Sequence, residues 1–136
     1  MKYLFLIGFF FACASLSFGQ DSNGNISGAS ISWEQPTFDF GDLKQGDKVE
    51  HTFKFVNSGN SPLIITNVEV TCGCTTPKGW PRDPIAAGAK GEITVAFNSA
   101  GKYGRQNKVV KVISNATGGQ NQFSFTANVL PKENPN

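Results

Sequence analysis

Apolar and polar residues alternate with a period of two along three segments of the chain. Val49, His51, Phe53 and Phe55 alternate with Glu50, Thr52, Lys54 and Val56. Ile93, Val95 and Phe97 alternate with Glu92, Thr94 and Ala96. Phe123, Phe125, Ala127 and Val129 alternate with Gln122, Ser124, Thr126 and Asn128. In an extended chain this spacing turns one apolar row inward and one polar row to water. Leu63 to Val70 (LIITNVEV) and Lys108 to Ile113 (KVVKVI) are β-branched runs that read as more deeply buried strands. Thr37 to Phe40 reads as a short first strand, preceded by a piece at Ile31 to Glu34.

The punctuation between these segments is turn chemistry. Gly41-Asp42 with Gly46-Asp47 is expected to separate the first two strands, and Asn57 to Pro62 (NSGNSP) is a dense turn signal. Pro84 to Gly91 and Ala116 to Gln120 act in the same way further on. No stretch carries a helical stripe with caps. About six or seven short strands with frequent turns define an all-β, antiparallel sandwich, with a closed barrel as the alternative. Cys72 and Cys74 are too close in sequence to bridge two sheets, so hydrophobic packing must hold the layers together. Phe40, Phe53, Phe55, Ile93, Val95, Phe97, Phe123 and Phe125 are the expected core.

The N-terminus follows a different pattern. Lys2 precedes an apolar stretch from Leu4 to Ala12, and Ser17-Phe18-Gly19 places small residues at −3 and −1 of a cut before Gln20. Residues 1–19 therefore read as an export signal, too short to span a bilayer. A lipid anchor on Cys13 fits less well, because Phe10-Phe11-Ala12 makes a poor lipoprotein cleavage box. Residues 20–30 (QDSNGNISGAS) read as a flexible leader, 31–130 as the domain, and 131–136 (PKENPN) as a polar tail. The expected location is extracytoplasmic: periplasmic, cell-surface or secreted.

Composition narrows the function classes. Of 136 residues, 12 are basic and 10 acidic. Losing Lys2 with the signal leaves the charge near zero, which removes the electrostatic case for nucleic acid or an anionic membrane surface. No apolar run in the mature chain is long enough to span a membrane. There is a single histidine, His51, and no nucleotide-binding glycine motif, so the catalytic inventory is thin. Ser–His–Asp hydrolysis would have to use His51, with no nucleophile arranged locally beside it.

The ordered motifs Phe38-Asp39-Phe40-Gly41, Gly46, Phe53-x-Phe55-x-Asn57-x-Gly59, Cys72-Gly73-Cys74-Thr75, Ile85-x-x-Gly88 and Ile93-x-Val95-x-Phe97 resemble a bacterial extracytoplasmic family of unknown function. That family has an Ig-like fold, related in architecture to Hydin, ASPM and major-sperm-protein type domains. The resemblance runs from Trp33 to Leu130, and Cys-Gly-Cys-Thr is its most specific part. It implies an exported, seven-stranded Ig-like sandwich and no established reaction.

Three chemistries compete at Cys72 and Cys74. Continuing the parity of Ile64, Thr66, Val68 and Val70 puts both on a strand's inner row, as two inert thiols or as a local disulfide that needs Gly73 to kink. Two thiolates one residue apart also suit a soft ion such as Cu(I). A zinc site, with Cys72, Cys74 and His51, would remain incomplete. Thiol–disulfide exchange is the third, favoured if Lys78 and Arg82 lie near the sulfurs.

His51 shares parity with Phe53 and reads as a hydrogen-bonded core-edge residue. Trp80 lies in a loop after the cysteines, as a core cap or as an anchor for a partner. Trp33 is expected to pack at the domain's start. Asp39, Asp42 and Asp47 surround a turn and are expected to bond their own backbone rather than calcium. Asn25-Ile26-Ser27 and Asn115-Ala116-Thr117 match a glycosylation triplet, irrelevant in a bacterial chain. The sequence thus favours an exported binding module, not an enzyme, using Cys72, Gly73, Cys74, Thr75 and Trp80 toward an envelope or secreted protein. A copper-binding or redox protein centred on the cysteines is the rival.

Overall fold

The computed structural model describes residues 27–133. Residues 1–26, with the expected export signal and most of the expected leader, and residues 134–136 lie outside that range. Nine strands form two facing sheets. They are β1 (Ser30–Trp33), β2 (Thr37–Lys44), β3 (Lys48–Asn57), β4 (Ile65–Val70), β5 (Thr75–Gly79), β6 (Lys90–Asn98), β7 (Gly104–Ser114), β8 (Gly118–Gly119) and β9 (Gln122–Leu130). One sheet runs β5-β6-β3-β1-β8 and the other β2-β9-β7-β4.

The sandwich is the expected one, with two additions. Its sheets are mixed, because β1 pairs in parallel with β8 and β2 in parallel with β9. The chain leaves β1, passes Pro36 and joins the opposite sheet, where β2 lies alongside the last strand, β9. Periodicity reports which face is buried and carries no information about the neighbouring strand's direction. The leader also ends earlier than expected, since Ala29 and Ser30 are buried and Ser30 opens β1.

The alternating rows meet between the sheets. Phe53, Phe55, Ile93, Val95 and Phe97 project from one layer and Phe123, Phe125, Ala127 and Val129 from the other, all buried. Phe53 and Phe123 meet across the interface with ring centroids 4.1 Å apart, and Phe97 and Phe125 at 5.4 Å. Trp33 wedges between Phe55 and Phe123 while its indole N–H donates to Gln120 O at 2.8 Å. Each fully buried large side chain contributes about 1.5–3 kcal/mol, so this aromatic layer dominates the stability. Phe40 is only half-buried: it stands on edge strand β2 and packs against Phe125 at 5.4 Å.

Two bulges reset the parity. In β2 the register to β9 shifts between Asp39 and Asp42, so Phe38 and Phe40 face inward before it and Leu43 after it. Gly41 supplies the positive φ, 73°, and donates its N–H to Asp39 Oδ1 at 2.9 Å. Gly41-Asp42 is thus a bulge inside a strand. The β2–β3 turn is made by Gln45, Gly46 and Asp47 alone, with Ser99 Oγ bonded to Lys44 O, Asp47 O and the Gly46 N–H. In β4 the shift falls between Ile65 and Asn67, leaving Ile64 42% exposed while Ile65 and Val68 are buried.

Candidate functional site

The motif residues sort into two places. Asn57 is fully buried at the end of β3. Its Oδ1 accepts from the N–H groups of Ser30 and Gly59 at 3.2 and 3.1 Å. Its Nδ2 donates to Ser61 O and Ile85 O at 2.8 and 3.0 Å. The Asn57 carbonyl accepts from Gly88 N at 2.7 Å. Asn57, Gly59, Ile85 and Gly88 are therefore one node, tying the first strand and two loops together. Gly59 is required there, because a Cβ would stand 2.2 Å from Gly28 O. The node leaves no polar group of Asn57 free for a ligand.

Cys72-Gly73-Cys74-Thr75 lies elsewhere, in the turn joining β4 to β5. The cysteines are not on an extended strand, and the parity drawn from Ile64 and Thr66 does not reach them. The β4 bulge and then the turn break the count. Thr75 N–H donates to Cys72 O at 3.1 Å, closing a tight turn whose bending brings the two Cα atoms to 5.2 Å. That separation lies within the range disulfides span, and Cys72 and Cys74 are bonded. Gly73 is not in a left-handed conformation, and a Cβ there would meet nothing within 4 Å. The turn forms without needing a glycine. Its absent side chain leaves the approach to the bridge open.

Thr75 is buried and starts β5, opposite Phe97. Cys74 is half-buried against the core margin. Its N–H donates to Cys72 Sγ at 3.2 Å, and its Sγ lies 3.9 Å from Thr75 Oγ1. A hollow of about 500 Å³ opens in front of it, lined by Lys48, Glu50, Gly73, Cys74, Thr76 and Asn98 among others. A second hollow of about 460 Å³ adjoins it and is lined by Trp80, Pro81, Glu92 and Thr94. Lys78 and Glu50 line both, and their ion pair, Nζ to Oε1 at 2.6 Å, stands between them.

Of the two expected cations, Arg82 lies over the Trp80 ring at 3.9 Å, whereas Lys78 lines the hollow with Cys74 but is paired with Glu50. A second cation, Lys48 at the start of β3, lines the same hollow, which sequence proximity does not reveal. Trp80 is half-buried, packed on the core's edge and lining the second hollow. Its Nε1 is the buried side-chain nitrogen or oxygen, among the described residues, that has no hydrogen-bond partner.

His51 is held by stacking rather than by hydrogen bonds. Its ring lies 3.6 Å from Phe38 and nearly parallel to it, with Phe40 and Phe53 edge-on. Burial among these rings holds its pKa below the ordinary imidazole value. No three His, Cys, Asp or Glu side chains converge among the described residues, so His51 does not join the cysteines. Two of the turn aspartates bond their own backbone as expected, Asp39 to Gly41 N and Asp47 to Lys44 N, whereas Asp42 accepts from the Asn128 side-chain amide on β9. The Gly41 N–H, foremost, keeps the Asp39 carboxyl below the usual range. Within the disulfide neither sulfur is a thiolate, so binding of a soft metal would require the reduced pair.

Comparison with known proteins agrees with this architecture. Residues 31–129 match the family described as protein of unknown function (DUF1573); the chain belongs to that family, an Ig-like one. No curated protein matches it. Among solved structures, it is similar to a protein of unknown function from Porphyromonas gingivalis, with a TM-score of 0.63 at 16% identity over 79% of this chain and 50% of that one. It is similar to the secreted serine protease VesC from Vibrio cholerae, with a TM-score of 0.59 at 18% identity over 77% of this chain and 24% of that one. It is also similar to the ASH / PapD-like domain of human CEP192, with a TM-score of 0.57 at 10% identity over 78% and 89% of the two chains. The chain thus spans half the length of the Porphyromonas protein and about a quarter of VesC. At these identities the likeness is one of fold.

Proposed function

We propose that this chain is an exported Ig-like module that acts by binding another envelope or secreted protein, using the face beside β5. The observation that carries the reading is the pair of adjoining hollows along that face. Half-exposed Trp80 lies at one end and the Cys72–Cys74 turn at the other. Tryptophan and arginine, here Trp80 with Arg82 over its ring, are residues enriched in protein-recognition patches, whose rims are polar. Edge strand β5 adds an unpaired margin next to it. The Leu4–Ala12 segment and the small residues before Gln20 support export.

The binding test uses the full chain expressed in its own cells and cross-linked to its neighbours. Trp80→Ala is expected to lower capture of the neighbour about tenfold, the usual consequence of truncating a central aromatic anchor. Val109→Ala, an exposed position on the opposite sheet, is expected to leave it unchanged. Equal capture by wild type and Trp80→Ala would rule out this face. Export is tested by the intact mass of the chain from the cell envelope. A chain beginning at Gln20 supports the reading, and one retaining Met1 contradicts it.

A further inference from the structure

We propose that the Cys72–Cys74 disulfide is a redox site that accepts an electron pair from a protein dithiol. The inference rests on the turn itself and stands apart from the protein-binding reading of the hollows.

Three observations support it. The bridge encloses a single residue, so it removes little freedom from the unfolded chain. The core that holds the sheets together lies between Phe53, Phe55, Phe97, Phe123 and Phe125, and the turn touches only its margin, through Cys74. Stabilisation of the fold is therefore a weak reason for this bond to exist. Next, the approach is open: Cys74 and Gly73 line the hollow, and Gly73 is conformationally ordinary with empty space where a side chain would be. Finally, the two cysteines differ. Cys74, and not Cys72, is among the residues lining the hollow, whereas Cys72 Sγ accepts the Cys74 N–H at 3.2 Å, a donor that stabilises negative charge on Cys72. In exchange, the sulfur whose thiolate is better stabilised leaves faster.

The step follows from that asymmetry. A partner thiolate approaches through the hollow, where Lys48 favours its negative charge. Its sulfur bonds to Cys74 Sγ as the Cys72–Cys74 bond breaks, and the bonding pair leaves on Cys72 Sγ, held by the Cys74 N–H. The partner's second thiolate then attacks the partner's own sulfur in the mixed disulfide and releases Cys74 as a thiolate. The partner dithiol is oxidised to a disulfide, Cys72 and Cys74 become a dithiol, and the partner's two thiol protons end on them. Passing the pair on to another protein disulfide by the reverse steps restores the bridge.

The probe is reduced glutathione, added to the folded, oxidised chain and quenched early with an alkylating reagent. Peptide mass spectrometry then locates each adduct. Glutathione is expected on Cys74 and the alkyl group on Cys72, by at least about fivefold over the opposite pattern, the ratio one hydrogen bond supports. Loss of the bridge in the folded chain is expected within about tenfold of its rate in the urea-unfolded chain, as for an accessible disulfide. Gly73→Val, which closes the approach, is expected to slow the folded chain and leave the unfolded rate unchanged. A folded bridge more than tenfold slower than the unfolded one overturns the proposal. An excess of glutathione on Cys72, or no effect of Gly73→Val, overturns it as well.

Discussion

The Asn57 node and the Cys72–Cys74 turn are both built from short motifs around a glycine, and they have opposite physical designs. At the node every donor and acceptor of a buried amide is matched, to Ser30, Gly59, Ser61 and Ile85, and the glycine is there because backbone crowds it. At the turn the bonded sulfurs stand at the rim of the core, and the glycine faces empty space. A group whose partners are all inside the protein serves the fold. A group left reachable at the rim of a hollow lined by Lys48 and Glu50 is open to something outside it. The contrast separates a closed structural node from an open rim.

The sharpest way to break the contrast is Asn57→Ala. It takes away the partner of the buried Ser30 N–H and of the half-buried Gly59 N–H and Ser61 carbonyl, while Ile85 O keeps the Leu63 N–H, and each unmet buried group costs about 1–3 kcal/mol. A loss of at least about 3 kcal/mol in urea unfolding is expected; a loss under 1 kcal/mol would show that the node is not closed. Gly59→Ala forces the Gly28–Ser30 backbone away and is expected to cost about 2 kcal/mol, within the range of single overpacking changes. Gly73→Ala, by contrast, enters open space at an ordinary φ and is expected to change stability by less than about 0.5 kcal/mol.

The smallest effect belongs to His51, which lies between the two regimes at the core's edge. Its folded pKa is depressed by burial, so below about pH 6.5 the unfolded chain binds a proton that the folded chain resists. Stability therefore falls as pH drops below that value and levels off once the folded imidazole also titrates. His51→Gln is expected to flatten this part of the profile. An unchanged slope would place the titration elsewhere.

Much of this was legible in the chain. Phe53, Phe55, Ile93, Val95, Phe97, Phe123 and Phe125 were readable as core because uninterrupted strands keep strict parity. Parity misled wherever a bulge intervened. Ile64 and Thr66 point outward because β4 slips at Ile65–Asn67, and Gly41-Asp42 is a bulge where a turn was expected. Phe40 is half-exposed because β2 is an edge strand, a property of sheet order rather than of local pattern. The Asn57 node and the Phe38–His51 stack were invisible for a different reason. Ser30 and Ile85 lie 27 and 28 residues from Asn57, Phe38 is likewise distant in sequence from His51, and no spacing rule connects them. The cysteine pair was identified as the candidate site, but its turn, its bond and Lys48 beside it emerged only from the tertiary arrangement.

Paired urea-unfolding curves of the chain with its bridge intact and with Cys72 and Cys74 reduced decide whether the rim and the interior are independent. A bridge that spans one residue at the margin should change the unfolding free energy by less than about 2 kcal/mol, with the same denaturant slope. A loss of more than about 3 kcal/mol on reduction, as seen when structural disulfides are removed, would make the cysteine turn part of the architecture and contradict the division drawn between it and the Asn57 node.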